Sequence, residues 1–496
     1  MGVMAPEMGI RETRIPARLD RLPFTRWHWL VLVALGITWL LDGLEVTVIG
    51  SVSDVLTDKA TLALTKPEVT AAGTTYLAGA VLGALVFGYL TDRLGRRKLF
   101  MITLGLYLVG TVLTAFSFNV VSFLAFRFLT GMGIGGEYSA INSAIDELIP
   151  ARVRGHADLA INSIWWLGTA CGALGVFGLL NSKIVSVNIA WRLAFAFGAV
   201  LGIGILLVRR FLPESPRWLM THGRMDEAEQ IVGEIEEANM RHLGLSRLSQ
   251  PEGTIKIRER HAIGFGLIAR VMFRQYPRRT VLGLSLMIAQ AVLYNAIFFT
   301  YAIVLATYYK VPATQAPLYL VAFAVGNLFG PILLGRLFDS VGRRPMISGT
   351  YIVSGLILAG TAWAFQMGYL NATTQTLLWC VMFFIASASA SAAYLTVSEV
   401  FPLELRAMAI SFFYALGSAP AIATPYLVGT LINPSSKTAL SLAYLVGAAL
   451  MVTAGVVEVF LGVKAERQSL EKVAAPLSIQ DDEQPSRGPR ARLAPG

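Results

Sequence analysis

Twelve stretches of mostly apolar residues, each long enough to cross a membrane, constrain the fold of this chain more than any other feature. A membrane-spanning helix needs about 20 apolar residues, whereas a spanning strand needs only about ten. The stretches are apolar on all sides and far longer than strands, which favours helices over a β-barrel. With 55% hydrophobic and 15% charged residues, the chain is also too apolar for one soluble core. We therefore predict an all-α membrane protein with 12 transmembrane helices, at 28–50, 71–91, 99–117, 120–147, 156–181, 190–211, 280–308, 317–338, 346–366, 373–399, 407–432 and 438–462.

The polar segments divide the chain into five parts. The first apolar run is too long for a signal peptide and is interpreted as a retained helix. The long polar insert contains a short amphipathic pattern around 225–237 that is typical of a helix. The predicted parts are an N-terminal tail (1–27), a six-helix bundle (28–211), a cytoplasmic linker with short helices (212–279), a second six-helix bundle (280–462) and a polar, disordered tail (463–496).

The distribution of basic residues predicts the orientation. Of the 41 Lys and Arg residues, 34 fall in the tails and loops of one side, five in the loops of the other side and two within spans. Because basic loops stay in the cytoplasm, both termini are expected there, in a plasma-membrane protein. The net charge of +10 reflects these loops. Since the charges are spread over short loops, nucleic-acid binding is disfavoured.

Two motifs occur once in each half of the chain. The run Gly88–Arg97 returns as Gly335–Arg344, and Glu147–Arg154 returns as Glu399–Arg406, at offsets of 247 and 252 residues. Parallel repeats related by an axis along the membrane normal are typical of alternating-access carriers. The repeats therefore predict two pseudo-symmetric six-helix bundles.

The first predicted span carries the ionisable residues Asp42 and Glu45, and the fourth carries Arg127 and Glu137. Each costs about 2.5–3.5 kcal/mol on insertion scales and is a functional candidate by default. At about 1.5 Å of rise per residue, Asp42 and Arg127 reach nearly equal depth, where opposite charges can satisfy each other. A movable guanidinium beside a carboxylate can act as a proton switch; the alternative is a static ion pair. Glu137 is interpreted either as a second proton site or as a helix-packing hydrogen bond.

Together with Pro213–Leu219 and the glycine-rich run after Arg127, the repeated motifs resemble the major facilitator superfamily over 28–462, and its sugar-porter-like branch most of all. The resemblance implies that a first-span acid couples protons and meets the fourth-span arginine; that acid is Glu45 here. Asp42 is additional and is similar to a pattern of organic-acid and organic-ion carriers. The resemblance also implies a cytoplasmic gating network of charged residues, namely Asp92, Arg93, Arg96, Glu147, Arg154, Asp339, Arg343, Glu399 and Arg406.

Polar and aromatic side chains at mid-depth are the candidates for substrate binding. The seventh span resembles the stretch of sugar porters that binds hydroxyl groups, although Ala289 replaces one of its two glutamines. The tenth span carries Tyr394 where that branch has a tryptophan. The alternative for each polar group is a helix–helix hydrogen bond, and for each ring ordinary packing. The candidates are Asn162, Trp166, Thr169, Gln290, Tyr294, Asn295, Phe299 and Tyr394.

These features predict a secondary active transporter that moves a small organic metabolite by alternating access, coupled to protons. A sugar, polyol or sugar acid is favoured; an organic or aromatic acid, an organic cation, or an uncoupled facilitator or exporter are the alternatives. The five His residues lie at predicted cytoplasmic ends and the two Cys residues form no motif, so no enzyme, metal or cofactor is expected. The expected partners are a small-molecule substrate, a proton and the lipid bilayer, with the chain acting as a monomer.

Overall fold

The computed structural model describes residues 11–180, 185–209, 212–251, 253–257, 265–298, 300–311 and 316–477. Within them, twelve helical segments follow the predicted pattern, and eleven candidate spans pass a length-and-hydropathy test. Val120–Leu148 is not among those eleven, because Arg127 and Glu137 lower its hydropathy. We number the segments spans 1 to 12 in chain order: Arg26–Ser51, Lys66–Leu94, Arg96–Ala115, Val120–Leu148, Arg154–Leu180, Val187–Arg209, Pro277–Phe298 with Tyr301–Tyr309, Ala316–Ser340, Arg343–Gln366, Ala372–Glu399, Arg406–Thr430 and Thr438–Leu461.

The fourth span of each half begins in the same way. Span 4 starts at a capping box in which Asn119 Oδ1 accepts the backbone N–H of Ser122 at 2.8 Å. Span 10 starts at the same kind of box, in which Asn371 Oδ1 accepts the N–H of Thr374 at 2.9 Å. Each box satisfies backbone donors that a helix start leaves unpaired.

The spans assemble into two lobes. In the N-lobe (spans 1–6), span 4 packs on spans 2 and 3, and span 1 packs on spans 5 and 6. In the C-lobe (spans 7–12), span 9 packs on spans 10 and 12, and span 7 on spans 11 and 12. Span 5 crosses to span 8, and span 11 crosses to span 2, so the contacts between lobes follow the same pseudo-symmetry.

Glycines let spans 2 and 4 approach at backbone distance. A Cβ atom on Gly135 would lie 1.9 Å from the carbonyl oxygen of Ala80, and one on Gly131 would lie 2.1 Å from that of Tyr76. Small residues allow such approach where no hydrophobic effect drives helices together. The glycines of span 4 thereby set how close Arg127 comes to the other helices of the lobe.

Span 7 differs from the continuous helix predicted over 280–308. Its first helix ends at Phe298 and its second begins at Tyr301. Between them, the N–H of Thr300 bonds to Ile297 three residues back, at 3.1 Å, and its hydroxyl donates to the Ala296 carbonyl. This hydrogen bond to the third residue back and the side-chain bond take the place of regular helical hydrogen bonds, and the span is interrupted here.

The linker and the N-terminal tail fold together on the side of the membrane where both termini lie. Strand Arg11–Thr13 pairs antiparallel with Ile255–Ile257. Glu236 on the linker helix Met225–Leu243 forms salt bridges with Arg18 at 2.7 Å and with Arg21 at 2.5 Å. Burial disfavours the charged form of Glu236, but its hydrogen bonds to Arg18 and Arg21 outweigh this and hold its pKa below the ordinary value.

The prediction of a disordered tail over 463–496 is wrong for its first part. Residues 463–477 pack against the protein and contain the short helix Leu470–Val473. Leu470 and Leu477 are buried, and burial of these apolar side chains compensates for the entropy of ordering the segment. Residues 478–496 lie outside the described part of the chain.

We expect Gly135→Ala to destabilise the protein by about 1–3 kcal/mol, because the added methyl group overlaps the backbone of span 2. Gly105→Ala in span 3 is the matched control, since a Cβ atom there meets nothing within 4 Å. Thermal unfolding in detergent measures both variants. Equal melting temperatures for the two would contradict the close approach of spans 2 and 4.

Candidate functional site

Asp42 lies in the N-lobe interior and is only 3% exposed. Its Oδ1 accepts a hydrogen bond from the hydroxyl of Tyr76 at 2.5 Å. Its Oδ2 accepts from the hydroxyl of Tyr138 at 2.5 Å and from the indole nitrogen of Trp165 at 2.7 Å. Spans 2, 4 and 5 thus each contribute one neutral donor to this buried carboxyl group.

Glu45, one turn further along span 1, forms a salt bridge with Arg127 of span 4, and both side chains are fully buried. The guanidinium carbon of Arg127 lies 4.6 Å from the ring centroid of Tyr76 and 5.6 Å from that of Phe195. Aromatic faces stabilise a desolvated cation, so these rings cover the part of the guanidinium that Glu45 does not.

The depth estimate paired Arg127 with Asp42, and the structure corrects this to Glu45. An arginine side chain is long enough to bridge a full helical turn, so depth alone does not decide its partner. The hydroxyl of Tyr76 satisfies Asp42 while its ring packs against Arg127. This pairing is the one that the family resemblance implied.

A small cavity with room for about one water molecule opens beside these charges. Its walls come from spans 1 and 4 and include Trp39, Asp42, Glu137 and Tyr138. Glu137 is buried and accepts a hydrogen bond from Thr103 at 3.3 Å. The two carboxyl groups outside the Glu45–Arg127 pair therefore border one cavity.

Three of the predicted substrate-binding polar groups bond to helix backbone. Asn162 donates to the carbonyl of Asp158 at 3.0 Å, and Asn295 donates to Ala291 of its own helix at 2.8 Å. Thr169 donates to the carbonyl of Gly43 at 3.5 Å. Of these three contacts, that of Thr169 joins two helices, as the alternative interpretation expects, whereas Asn162 and Asn295 donate within their own helices.

The remaining candidates lie on the C-lobe side of the interface between lobes. Tyr294 donates to the buried amide oxygen of Asn327 at 2.7 Å. Gln290 and Tyr394 form a side-chain hydrogen bond with each other. Trp166, on the N-lobe side, contacts Tyr294 with ring centroids 5.8 Å apart. Phe299 lies outside the described residues.

Aromatic rings from both lobes meet at this level, and we call Trp39, Tyr138, Tyr394 and Tyr414 the interlobe aromatic cluster. Tyr138 is nearly parallel to Tyr394, at 6.1 Å between centroids, and to Tyr414, at 4.5 Å. Trp39 contacts Tyr138 edge-on at 4.5 Å and Tyr394 at 6.1 Å. The cluster joins the lobes directly next to Asp42.

The sequence-based site omitted the three donors to Asp42, namely Tyr76, Tyr138 and Trp165, and it also omitted Asn327. A signal for some of them existed, because a tyrosine or tryptophan inside an apolar span normally needs a hydrogen-bond partner when buried. Sequence alone shows the need for a partner and not its identity.

At the end of the N-lobe that lies next to the linker and both tails, three charges of the predicted gating network form a triad. Arg96 makes salt bridges with Asp92 at 3.3 Å and with Glu147 at 2.8 Å. Asp92 also reaches across to the C-lobe, where its Oδ2 accepts the backbone N–H of Met408 at 3.0 Å. A carboxylate at the start of span 11 is favourable because the N-terminal end of a helix is partially positive.

The C-lobe contains the equivalent triad. Arg343 makes salt bridges with Asp339 at 2.8 Å and with Glu399 at 3.0 Å. Asp339 reaches across to the N-lobe, where it accepts the backbone N–H groups of Gly155 at 3.2 Å and His156 at 2.7 Å. The aspartate of each repeat thus caps the first turn of a helix in the opposite lobe.

Two further ion pairs cross between the lobes. Arg154 lies 3.7 Å from Glu399, and Arg406 lies 3.9 Å from Glu147. Arg93, by contrast, is exposed, and its guanidinium carbon lies 4.2 Å from the ring centroid of Tyr89 on its own helix. Eight of the nine predicted gating residues therefore meet at the lobe interface.

Segments from both tails join the same network. Asp20 of the N-terminal tail lies 3.3 Å from Arg154 and 3.1 Å from Arg217 of the linker. Glu471 of the C-terminal tail lies 3.2 Å from Arg217. Burial disfavours the charged form of Arg217, but Glu471 and Asp20 outweigh it, so the pKa of this guanidinium is raised.

Comparison with known proteins agrees with this architecture. A family model described as sugar (and other) transporter matches residues 30–475. The niacin transporter NiaP of Acinetobacter baylyi is 28% identical over 418 residues, which cover 83% of this chain and 89% of that protein. The arabinose-proton symporter of Bacillus subtilis is 27% identical over 422 residues, which cover 79% and 85%.

The fold also matches a solved transporter. The proton:xylose symporter XylE of E. coli, solved with 6-bromo-6-deoxy-D-glucose, superimposes with a TM-score of 0.73 at 20% identity, covering 90% of this chain and 98% of that one. The relatives are transporters and not enzymes. The chain therefore belongs to the sugar (and other) transporter family, within the sugar-porter-like major facilitators, and is a multi-pass membrane protein that transports small molecules.

Proposed function

We propose that this protein is a proton-coupled secondary transporter that moves a small organic metabolite across the plasma membrane by alternating access. One observation carries the proposal: the buried Glu45–Arg127 pair lies one turn from Asp42, which borders a cavity near the interface between lobes. The carboxyl groups of Asp42 and Glu45, with the guanidinium cation of Arg127 beside them, provide a site that can take up and release a proton as the lobes move.

The Glu45–Arg127 pair is suited to separate during the cycle. Glu45 Oε2 and Arg127 Nε and Nη2 have no hydrogen-bond partner among the described residues. Few bonds are therefore lost when the guanidinium moves. A proton on Glu45 removes the charge that holds Arg127, and the rings of Tyr76 and Phe195 continue to stabilise the cation meanwhile.

The cytoplasmic charges form the inner gate in this proposal. Arg154 and Arg406 bridge the lobes to Glu399 and Glu147, and the two aspartates cap helices of the opposite lobe. These contacts hold the cytoplasmic ends together while the carrier faces outward. They break when the lobes rock to open inward, which is a rigid-body switch between two packed states.

The substrate class is proposed from relatives and from the site. The sequence favoured a sugar, polyol or sugar acid, and two relatives are a xylose and an arabinose symporter. Another relative transports niacin, an aromatic acid. Asn162 and Asn295 each donate to a carbonyl of their own helix, whereas aromatic rings line the lobe interface. The site therefore favours the aromatic alternative over the sugar.

Neutralising both candidate proton carriers should abolish coupling. We expect the Asp42→Asn/Glu45→Gln variant in liposomes to lose uphill uptake of a labelled substrate under an inward proton gradient, because neither side chain can then cycle a proton. A panel of labelled xylose, arabinose and nicotinate, with an internal pH dye, measures uptake and proton entry together.

Asp58→Asn, which removes an exposed carboxylate, is the matched control and should leave uptake unchanged. Full uphill uptake by the double variant would rule out coupling through span 1. If a protonophore leaves wild-type uptake unaffected, the protein is an uncoupled facilitator instead.

Breaking the inner gate should shift the carrier toward its inward-open state. We expect Arg154→Ala to increase labelling of a cysteine placed at Ser411, which is buried against Gly88 between spans 2 and 11. The native Cys171 and Cys380 are first replaced by serine, and labelling with a maleimide is followed over time.

Arg93→Ala removes an arginine from the same surface but outside the interlobe pairs, and it should not change the labelling rate. An Arg154→Ala rate equal to that of the parent would argue against a gate at this position.

A further inference from the structure

The interlobe aromatic cluster adjoins the Asp42 cavity and draws on both lobes. Tyr138 of the N-lobe is tilted only 14° from the ring of Tyr394 in the C-lobe, at 6.1 Å between centroids. A flat ring between two others needs about 3.5 Å on each face, or about 7 Å in total. The centroids of the two tyrosines are closer together than this, and because the rings belong to different lobes, rocking of the lobes can change their separation.

The geometry of the cluster suits a flat ring better than a sugar. Aromatic faces favour offset-stacked or edge-to-face contacts with other aromatic rings. Tyr138 already stacks on Tyr414 at 4.5 Å, and Trp39 presents an edge contact to Tyr138 at 4.5 Å. A ligand ring can replace one of these contacts with another of the same kind. A pyranose would instead need several hydrogen-bonding groups, and Asn162 and Asn295 already donate to helix carbonyls.

Asp42 determines the charge that such a ligand should carry. A carboxylate has about four lone-pair sites on its two oxygens. Tyr76 occupies one on Oδ1, while Tyr138 and Trp165 share Oδ2. Asp42 lines the small cavity beside it, which has room for a group about the size of a water molecule, such as one further donor. The three groups bonded to Asp42 are neutral and Arg127 pairs with Glu45, so a ligand carboxylate next to Asp42 would face an anion.

Building on the proposed function, we infer that the interlobe aromatic cluster binds a flat aromatic metabolite that carries an ammonium group or another N–H donor. Its ring stacks among Tyr138, Tyr394 and Tyr414, and its donor bonds to Asp42. The aromatic faces around the donor add a cation–π contribution if the nitrogen is charged. Binding thus links both lobes to the carboxyl group that belongs to the proton site.

Equilibrium binding to the purified full-length protein tests this with four probes. Benzylamine and cyclohexylmethylamine carry the same ammonium group on a flat and on a saturated ring, benzoate carries the opposite charge, and D-xylose has no ring face of this kind. We expect benzylamine to bind about tenfold more tightly than cyclohexylmethylamine, since each ring–ring contact adds a modest term. Benzoate and D-xylose should not displace it.

Variants locate the site. Tyr394→Leu should weaken benzylamine binding about tenfold and leave cyclohexylmethylamine unchanged, whereas Tyr394→Phe should keep the preference for the flat ring. Tyr369→Leu, at an exposed tyrosine far along span 9's outer loop, is the control and should have no effect. The melting temperature of each variant shows that it is folded.

Three results would overturn the inference: no benzylamine binding at millimolar concentration, tighter binding of benzoate or D-xylose, or an unchanged preference in folded Tyr394→Leu. The proposed function is read out separately by proton-driven uptake. Proton-coupled uptake of D-xylose would disprove the aromatic substrate and preserve the coupling. Selective benzylamine binding without proton-coupled uptake would support the aromatic ligand and disprove the proton coupling.

Discussion

A charge buried in a membrane protein must find its partner inside the protein, because the hydrocarbon around it offers none. Here, that constraint acts on span 1, which carries two acids, and on span 4, which carries the arginine. Transferring a carboxylate and a guanidinium out of water costs several kcal/mol each, so their pairing must be close and well supported. Glu45 supplies the counter-charge to Arg127, and the rings of Tyr76 and Phe195 cover the rest of the guanidinium.

The same requirement explains much of the packing around the site. Arg127 can reach span 1 only if span 4 sits close within the lobe, and Gly131 and Gly135 allow that approach to span 2. Span 2 in turn supplies the hydroxyl of Tyr76 to Asp42. In the N-lobe, the close packing of the helix backbones therefore also brings the buried charges to their partners.

Charge is arranged differently at the ends of the lobes that lie next to the linker and both tails. There, a triad of acid, arginine and acid occurs once in each lobe, and each aspartate also caps a helix of the other lobe. Such contacts are short, directional and confined to one face of the molecule, so they can be broken together by rigid rotation. In the proposed mechanism, the buried pair and the two triads give the transporter two sets of charges, one at the proton site and one at the inner gate.

Much of the fold, and part of the site, was predictable from the sequence. The number of spans follows from counting the apolar stretches that are long enough to cross a membrane. The two-lobe repeat follows from motifs that recur at a nearly constant offset along the chain. Asp42, Glu45, Arg127 and Glu137 were also identified, because a charge in an apolar span is conspicuous, whereas the buried Asp158 and Glu458 were not singled out. Two local predictions were wrong: span 7 is interrupted near Thr300, where a side-chain bond replaces a backbone one, and the tail up to Leu477 is ordered by burial of a few apolar residues.

Sequence by itself thus determined the class of molecule, its spans and which residues would be costly to bury, because those properties depend on composition along one helix at a time. Tertiary structure decided what surrounds Asp42, and it decided between the depth estimate and the family resemblance, which gave different acids as the partner of Arg127. The donors to Asp42 lie 34, 96 and 123 residues away in the chain, and each reaches it only through the rotation and tilt of its helix. Those angles are set by packing among many side chains at once, which no local pattern records.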